Sequence, residues 1–106
     1  MAKEFRDFLQ VLEQQGELVR VKEEIDLREV SARTAASSKA LWFERVSGYD
    51  MGVVSGILGS RARMAASLAC DHREMGKEFH RRLANPIPPV MVSTGRVKEV
   101  IQVGDA

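Results

Sequence analysis

The two histidines of the sequence, His72 and His80, are the first residues to consider as metal ligands. Both lie on one predicted helix, slightly more than two turns apart, so their rings share a face but are separated by about 12 Å along the axis. This separation is too large for one zinc ion, and the sequence has no cysteine pair or His-x₃-His motif to complete a site. The sequence therefore predicts two exposed helix histidines and no metal site.

Ser55 and Cys70 are the side chains to consider as nucleophiles. Ser55 lies in the segment 52–56 (GVVSG), but a nucleophile elbow needs a small residue two positions before the serine, where this segment has a valine. Cys70 is followed by Asp71 and His72, yet neighbouring residues at the start of a helix point in different directions. We expect Cys70 to be a structural thiol, and the sequence assigns no catalytic residue.

A run of glycines leads into a predicted helix and could bind a phosphate. Gly52, Gly56 and Gly59 precede Ser60 and Arg61, and a glycine-rich strand end before a helix N-terminus can bind an anion. The spacing matches neither the dinucleotide fingerprint nor the P-loop. Ser60 and Arg61 are therefore the candidate cofactor contacts, against the alternative that the glycines only permit a tight turn and close packing.

Composition and charge restrict the class of protein. The 106 residues (11.8 kDa) fit one domain spanning residues 1–106, and the net charge of +1 gives no strong attraction to nucleic acid or to a membrane surface. The sequence begins without the apolar stretch of a signal peptide, and its longest largely apolar uncharged run, Met51–Ser60, is too short to cross a bilayer. Because Cys70 is the only cysteine, a reducing compartment is indicated, and we expect a cytoplasmic protein.

The periodicity of apolar residues predicts an α+β (mixed α/β) fold with four helices packed on a mixed sheet of about four to five strands. Capping-box pairs, Asp26 with Glu29 and Asp71 with Glu74, begin the second and fourth helices, and Ser60 caps the third. The predicted helices cover Lys3–Gln15, Leu27–Ser38, Arg61–Ala69 and His72–Ala84. The predicted strands cover Glu17–Lys22, Ala40–Val46, Val53–Leu58, Val90–Ser93 and Val97–Val103.

Several of these segments, taken in order, resemble the opening of the UbiD family of decarboxylases. The resemblance covers nearly the whole chain and rests on the order and spacing of its motifs. They are Phe5–Leu9, Gly16–Val21, Glu24–Asp26, Leu41–Val46, Gly48–Met51, Gly59–Arg61, Asn85–Val90, Glu99-Val100 and Gly104-Asp105. The resemblance implies the fold of the N-terminal lobe of these enzymes.

The resemblance also implies a role in decarboxylation. Family members are carboxy-lyases that use prenylated flavin mononucleotide (prFMN) with a divalent metal, and act on aromatic or α,β-unsaturated acids. Their catalytic residues and metal ligands lie downstream of the segment that this sequence resembles, and none is carried over because this sequence ends at Ala106. We therefore expect no catalytic residue here and no cofactor bound by this chain alone.

The leading hypothesis is a small non-catalytic subunit that docks on a large UbiD-like chain carrying prFMN and metal. Trp42, Tyr49 and Met51 are candidate interface residues because aromatic and Met side chains are enriched at interfaces, although Trp42 is equally suited to the core. The alternatives are a flavin-phosphate carrier or regulatory protein that uses Gly59–Arg61, and a homo-oligomer that is a decarboxylase in its own right. No nucleic-acid or membrane partner is expected.

Overall fold

A three-stranded mixed sheet organises the computed structural model, which describes residues 4–104. The strands are β1 (Leu18–Ile25), β2 (Ala40–Val46) and β3 (Val53–Ser55). The central strand β2 runs parallel to β1 and antiparallel to β3. Because β1 and β2 are parallel, the chain between them must cross over the sheet, whereas β2 and β3 are joined by the short 47–52 loop.

Within residues 4–104, four helices accompany the sheet. They are α1 (Phe5–Gln14), α2 (Val30–Ala35), α3 (Arg61–Ser67) and α4 (Met75–Ala84), with single 3₁₀ turns at Leu27–Glu29 and Arg96–Lys98. The α+β class and the four helices are as predicted. Among the described residues, no helix is both long and apolar enough to cross a lipid bilayer.

The sheet is covered on both faces, because alternate residues of each strand point to opposite sides. One face packs against α1 and α3 around a buried cluster of Leu9, Leu12, Leu18 and Ala40. The opposite face packs against Val30 of α2 around a second buried cluster of Ile25, Leu41, Phe43 and Val46. The result is a layer of sheet between two unequal layers of helix.

Arg63 is a buried charged residue that ties α3 to two distant connections of the chain. Its side chain is 4% exposed, and its Nη1 donates to Glu17 Oε2 at 3.0 Å and to the Ser38 carbonyl oxygen at 3.1 Å. The guanidinium Nε is buried with no hydrogen-bond partner among the described residues. The α1–β1 turn and the α2–β2 connection are therefore both fixed to α3 through one side chain.

Three predicted helix starts can be compared with the structure. Ser60 caps α3 as predicted, since its hydroxyl accepts from the Arg63 backbone N–H at 3.1 Å. The Asp26 carboxylate accepts from the Arg28 N–H two residues ahead, which begins a 3₁₀ turn rather than a full helix at Leu27. The Asp71 carboxylate likewise accepts from the Arg73 N–H, and α4 begins later than predicted. In both corrected cases a side-chain turn replaces the capping box.

The remaining differences concern the strands. Gly56 turns the chain with a φ of +70° and ends β3 at Ser55, before the predicted end at Leu58. The predicted strands Val90–Ser93 and Val97–Val103 are not formed, because no neighbouring strand pairs with them. In the described part of the chain the sheet therefore has three strands rather than four to five. The predicted start of the first helix at Lys3, and Asp105 of the last family motif, lie outside the described residues.

Candidate functional site

Tyr49 and Met51, two of the candidate interface residues, lie on a surface beside the edge strand β3. Their side chains are 62% and 68% exposed. Two shallow concavities meet at Met51, one of about 580 Å³ and one of about 210 Å³. The first is lined by residues that include Phe5, Trp42, Met51 and Val54, and the second by Leu27, Val46, Tyr49, Met51 and Val53. We call this set of lining residues the β3-edge surface.

The 47–52 loop that carries Tyr49 and Met51 is held close to β2. A Cβ atom on Gly52 would lie 2.9 Å from the Phe43 carbonyl oxygen and 3.1 Å from Trp42 Nε1. A side chain at this position would push the loop away from the strand. Gly52 therefore positions the exposed side chains of the loop over β2.

Trp42 lies between the core and the β3-edge surface. It is half-buried and packs against the Leu9–Leu12 cluster, while the Arg20 guanidinium lies 4.3 Å from the centre of its ring. Arg20 is held by Glu13 at 2.9 Å and by Glu44 at 3.3 Å, and its hydrogen bond lowers the pKa of the Glu13 carboxyl. Trp42 therefore packs partly into the fold, where its ring also makes a cation–π contact with Arg20. The rest of its side chain lines a surface concavity.

A second apolar concavity of about 430 Å³ lies between α3 and α4. Its lining residues are mostly apolar and include Leu58, Met64, Leu68, Met75 and Phe79. Arg82 Nη2 joins the two helices by donating to the Leu68 carbonyl oxygen at 2.7 Å. This groove and the β3-edge surface are both mostly apolar, and the charged side chains that line them are Arg61 in the groove and Glu4 and Arg6 beside the β3 edge.

Glu78 on α4 is held by two arginines, which gives this helix a pH-dependent stability. Arg82 Nε donates to it at 2.7 Å, and Arg81 donates to both carboxylate oxygens. These hydrogen bonds, that of Arg81 first, lower the pKa of Glu78 to about 2 from an ordinary value of 4.5. A depressed folded-state pKa stabilises the fold above pH 4.5, and this contribution is lost as the pH falls toward 2.

We expect the Glu78→Gln variant to be less stable than the wild type above pH 4.5, and the difference to shrink as the pH falls toward 2. Glutamine mimics the protonated acid, so the two proteins converge once Glu78 itself is protonated. Urea midpoints of both proteins at pH 6 and at pH 2.5 measure this directly. A difference that is the same at the two pH values would show that the ion pairs do not act on stability.

The candidate cofactor contacts, Ser60 and Arg61, lie at the N-terminus of α3. The Ser60 hydroxyl is already engaged by the Arg63 backbone N–H, and the Arg63 guanidinium is engaged by Glu17. Arg61 is exposed beside the α3–α4 groove. The structure therefore does not gather the several donors that would be needed around a flavin phosphate at this turn, and the described residues here do not fit the cofactor.

His72 and His80 are both exposed, and Cys70 is half-buried after α3. Within the described range 4–104, no group of three or more His, Cys, Asp or Glu side chains is arranged to hold a metal ion. The His72 ring lies 3.9 Å from the Asp71 carboxylate, and the Cys70 backbone N–H donates to the Ala65 carbonyl oxygen. These residues are not brought together as a catalytic set.

The segment that follows α4, residues 85–104, is exposed along its whole length. We call it the exposed arm. Its large apolar side chains are 70–93% exposed, and they are Ile87, Val90, Met91, Val92, Val97, Val100, Ile101 and Val103. The radius of gyration is 17.1 Å, compared with about 13 Å for a compact domain of this length. Exposed apolar side chains that follow one another along a segment are typical of surfaces that pack against another protein.

The sequence did not lead us to predict a site in the exposed arm, although it contains a pattern that marks the arm as extended. Three prolines at 86, 88 and 89 are followed by strand-forming residues. The prolines predict an extended entry, and the valines that follow predict strands. What the sequence does not show is whether those strands find a partner within the same chain.

Comparison with known proteins identifies the family to which this fold belongs. Residues 9–83 match the family model described as the 3-octaprenyl-4-hydroxybenzoate carboxy-lyase N-terminal domain. The chain is 35% identical to a phenolic acid decarboxylase of Sedimentibacter hydroxybenzoicus, over 85% of this chain and 21% of that protein. It is 29% identical to an uncharacterised protein of Aquifex aeolicus, over 97% of this chain and 27% of that protein.

Solved structures show the same fold within larger enzymes. The closed form of the Sedimentibacter hydroxybenzoicus vanillic acid decarboxylase superposes with a TM-score of 0.77 at 34% identity, over 88% of this chain and 22% of that chain. The UbiD-class enzyme HmfF of Pelotomaculum thermopropionicum, in complex with prFMN, superposes with a TM-score of 0.68 at 31% identity, over 82% and 21%. The chain spans about a fifth to a quarter of the length of these relatives. It belongs to the UbiD family of decarboxylases, to whose N-terminal domain it corresponds.

Proposed function

We propose that this domain is a small non-catalytic subunit or unit of a UbiD-type (de)carboxylase. It docks onto a large UbiD-like polypeptide that holds prFMN and a divalent metal, and the assembly acts on aromatic or unsaturated carboxylic acids. The exposed arm carries the proposal, because burying each of its large apolar side chains against a partner is favourable by about 1.5–3 kcal/mol. The names phenolic acid decarboxylase and vanillic acid decarboxylase, both given to similar sequences of Sedimentibacter hydroxybenzoicus, support the aromatic substrate class.

The proposal places the cofactor on the partner and not on this chain. The donors at the Ser60–Arg61 turn are engaged within the fold or isolated at the surface, as described above. The chemistry that prFMN supplies, the stabilisation of charge as the carboxyl group leaves, would take place in the large polypeptide. The lone cysteine fits a reducing compartment, and we extend the proposal to the cytoplasm.

The β3-edge surface is the proposed second contact. It brings Tyr49, Met51 and one side of Trp42 together beside an edge strand of three residues. Exposed aromatic and Met side chains around a shallow concavity are typical of interface residues. In this role the three residues pack against the large polypeptide and take no part in chemistry.

A chimera tests the proposal with a complete enzyme. The fifth of the Sedimentibacter vanillic acid decarboxylase that matches this protein is replaced by this chain, and the product is compared with the unmodified enzyme. We expect the chimera to fold, to retain prFMN as read by its absorption, and to decarboxylate vanillic acid. A chimera that fails to fold or to retain prFMN, while the parent enzyme does both, would contradict the proposal.

The carrier alternative makes a different prediction. A carrier that uses Gly59–Arg61 would bind FMN saturably, and the Arg61→Ala variant would bind it more weakly. We expect no saturable binding by either protein in a fluorescence titration, because the Ser60 hydroxyl is already engaged and Arg61 is the single exposed cation of the turn. Saturable binding that depends on Arg61 would favour the carrier.

A further inference from the structure

The second half of the exposed arm has the side-chain pattern of a β-strand but forms no strand pair. If residues 97–103 are extended, Val97, Ile101 and Val103 share one side with Glu99, and Lys98 and Gln102 lie on the other with Val100. Three of the four side chains on the first side are apolar, against one of the three on the second, and one mostly apolar side is typical of a half-buried strand. In the described chain the segment instead begins with the 3₁₀ turn Arg96–Lys98 and is exposed throughout.

The first half of the arm explains why the second half stays away from the sheet of its own domain. Pro86, Pro88 and Pro89 hold the chain extended, at about 3.1 Å per residue, and have no N–H to donate to a sheet. The backbone hydrogen bonds described beyond Asn85 are local, joining Lys98 to Gly95 and Glu99 to Arg96.

The sheet edges of this domain are poor acceptors for the arm. The outer strand β3 has three residues, which is too short for a segment of seven. The other outer strand, β1, carries charged residues at positions 20 and 22–24, and charge along an edge disfavours the addition of another strand. The strand partner is therefore expected on another polypeptide segment.

The comparisons support a partner segment within a longer polypeptide. Residues 1–84 make up about four fifths of the chain, so a superposition over 88% of it on the closed vanillic acid decarboxylase includes part of the arm. The alignment with the Aquifex protein, over 97% of this chain, extends further into the arm. In both cases the arm matches a protein roughly four times longer, with most of its length outside the matched domain.

We propose that residues 97–103 add as a β-strand to an exposed sheet edge of the prFMN-bearing polypeptide. Val97, Ile101 and Val103 pack against its apolar surface, and backbone N–H groups of alternate residues donate to its edge. Strand addition obtains affinity from main-chain hydrogen bonds and specificity from alternate side chains. This inference rests on the proposed function, because the acceptor belongs to the large polypeptide proposed there.

Amide hydrogen exchange, read residue by residue, tests the inference in the isolated chain and in the chimera described above. In the isolated chain we expect amides 97–103 to exchange at nearly unprotected rates. In the chimera we expect alternate amides of this segment to exchange at least about 100-fold more slowly. Protection of every amide in the run would indicate a helix or a strand inside a sheet rather than one at an edge, and would overturn the inference.

A matched pair of variants in the chimera tests the direction of the apolar side. Ile101→Asp introduces charge on the side proposed to be buried, and we expect it to abolish the protection of the segment. Gln102→Asp introduces the same charge on the polar side, and we expect it to leave the protection within about twofold of the unmodified chimera. Equal effects of the two substitutions would contradict the proposed orientation.

The outcomes separate this inference from the proposed function. A chimera that folds, retains prFMN and leaves amides 97–103 unprotected would overturn strand addition and leave the docking role intact. A chimera that does not fold would contradict the proposed function, and the inference falls with it. Protection that appears in the isolated chain as its concentration rises would identify a second copy as the acceptor and would overturn the inference.

Discussion

Replacing Glu17 with alanine is expected to lower the free energy of unfolding by about 3 kcal/mol, because it leaves the buried Arg63 charge without its carboxylate. The cost of an unpaired buried charge exceeds the benefit of an exposed ion pair. Arg63 Nε already has no partner among residues 4–104, so the remaining contact to the Ser38 carbonyl oxygen cannot compensate. The value lies at the lower end of the range for buried pairs because Glu17 is itself partly exposed.

The Glu17→Gln variant is the matched control for this prediction. Glutamine keeps an oxygen that accepts from Arg63 Nη1 and removes only the charge, so we expect a loss of about 1–2 kcal/mol. Urea unfolding followed by circular dichroism gives both values. Equal losses for the two variants would mean that the hydrogen bond contributes nothing beyond the charge, and no loss for either would refute the role assigned to Arg63.

Truncation of Phe43 to alanine is expected to lower the free energy of unfolding by about 3–5 kcal/mol. Phe43 lies on the central strand β2 and is fully buried, in the cluster that also contains Ile25, Leu41 and Val46. Removal of its ring leaves a cavity against α2 as well as losing the buried apolar surface. The same urea experiment measures this loss.

Tyr49→Ala removes an aromatic ring of similar size and provides the comparison. Because Tyr49 is exposed on the β3-edge surface, we expect its removal to change the free energy of unfolding by no more than about 0.5 kcal/mol. A loss of several kcal/mol at Tyr49 would place its ring in the core, and would remove the reason for assigning it to an interface.

The sequence predicted the parts of the fold that depend on local pattern. The bounds of β2 are those predicted, and the apolar periodicity of α1 and the hydroxyl cap of α3 at Ser60 are present in the structure. At Asp26 and Asp71 the side-chain carboxylate accepts a hydrogen bond from the backbone N–H two residues ahead. This hydrogen bond replaces the predicted capping box at both helix starts. Both arrangements use the same residue types, so their spacing does not distinguish them.

Contacts between distant segments were not predictable from local pattern. The Glu17–Arg63 pair joins residues 46 positions apart and is visible only once α3 lies against the α1–β1 turn. The arm shows the reverse case, since two strands were predicted in it from local pattern and neither was formed. A strand requires a neighbour, and the presence of a neighbour is not a property of the segment itself.

The sequence predicts that Trp42, Tyr49 and Met51 lie at an interface, and that role stays a prediction. Tyr49 and Met51 lie exposed on one surface. Trp42 packs partly against the core and partly lines a concavity, so the structure keeps both of the alternatives that the sequence allowed for it. Ser60 and Arg61 occupy the expected turn, but the hydrogen bonds of that turn are directed into the fold. Whether Ser60 and Arg61 can contact a phosphate depends on which hydrogen-bond donors of the turn remain free. Only the tertiary structure decides this.

Carbon dioxide release tests the central claim most directly. The purified chain, supplied with prFMN, a divalent metal and a monovalent cation, is incubated with vanillic acid beside the chimera at equal concentration. We expect turnover by the chimera and none above the enzyme-free background by the chain alone. Turnover by the chain alone, abolished when prFMN is omitted, would contradict the assignment of this domain as a docking unit without catalytic residues.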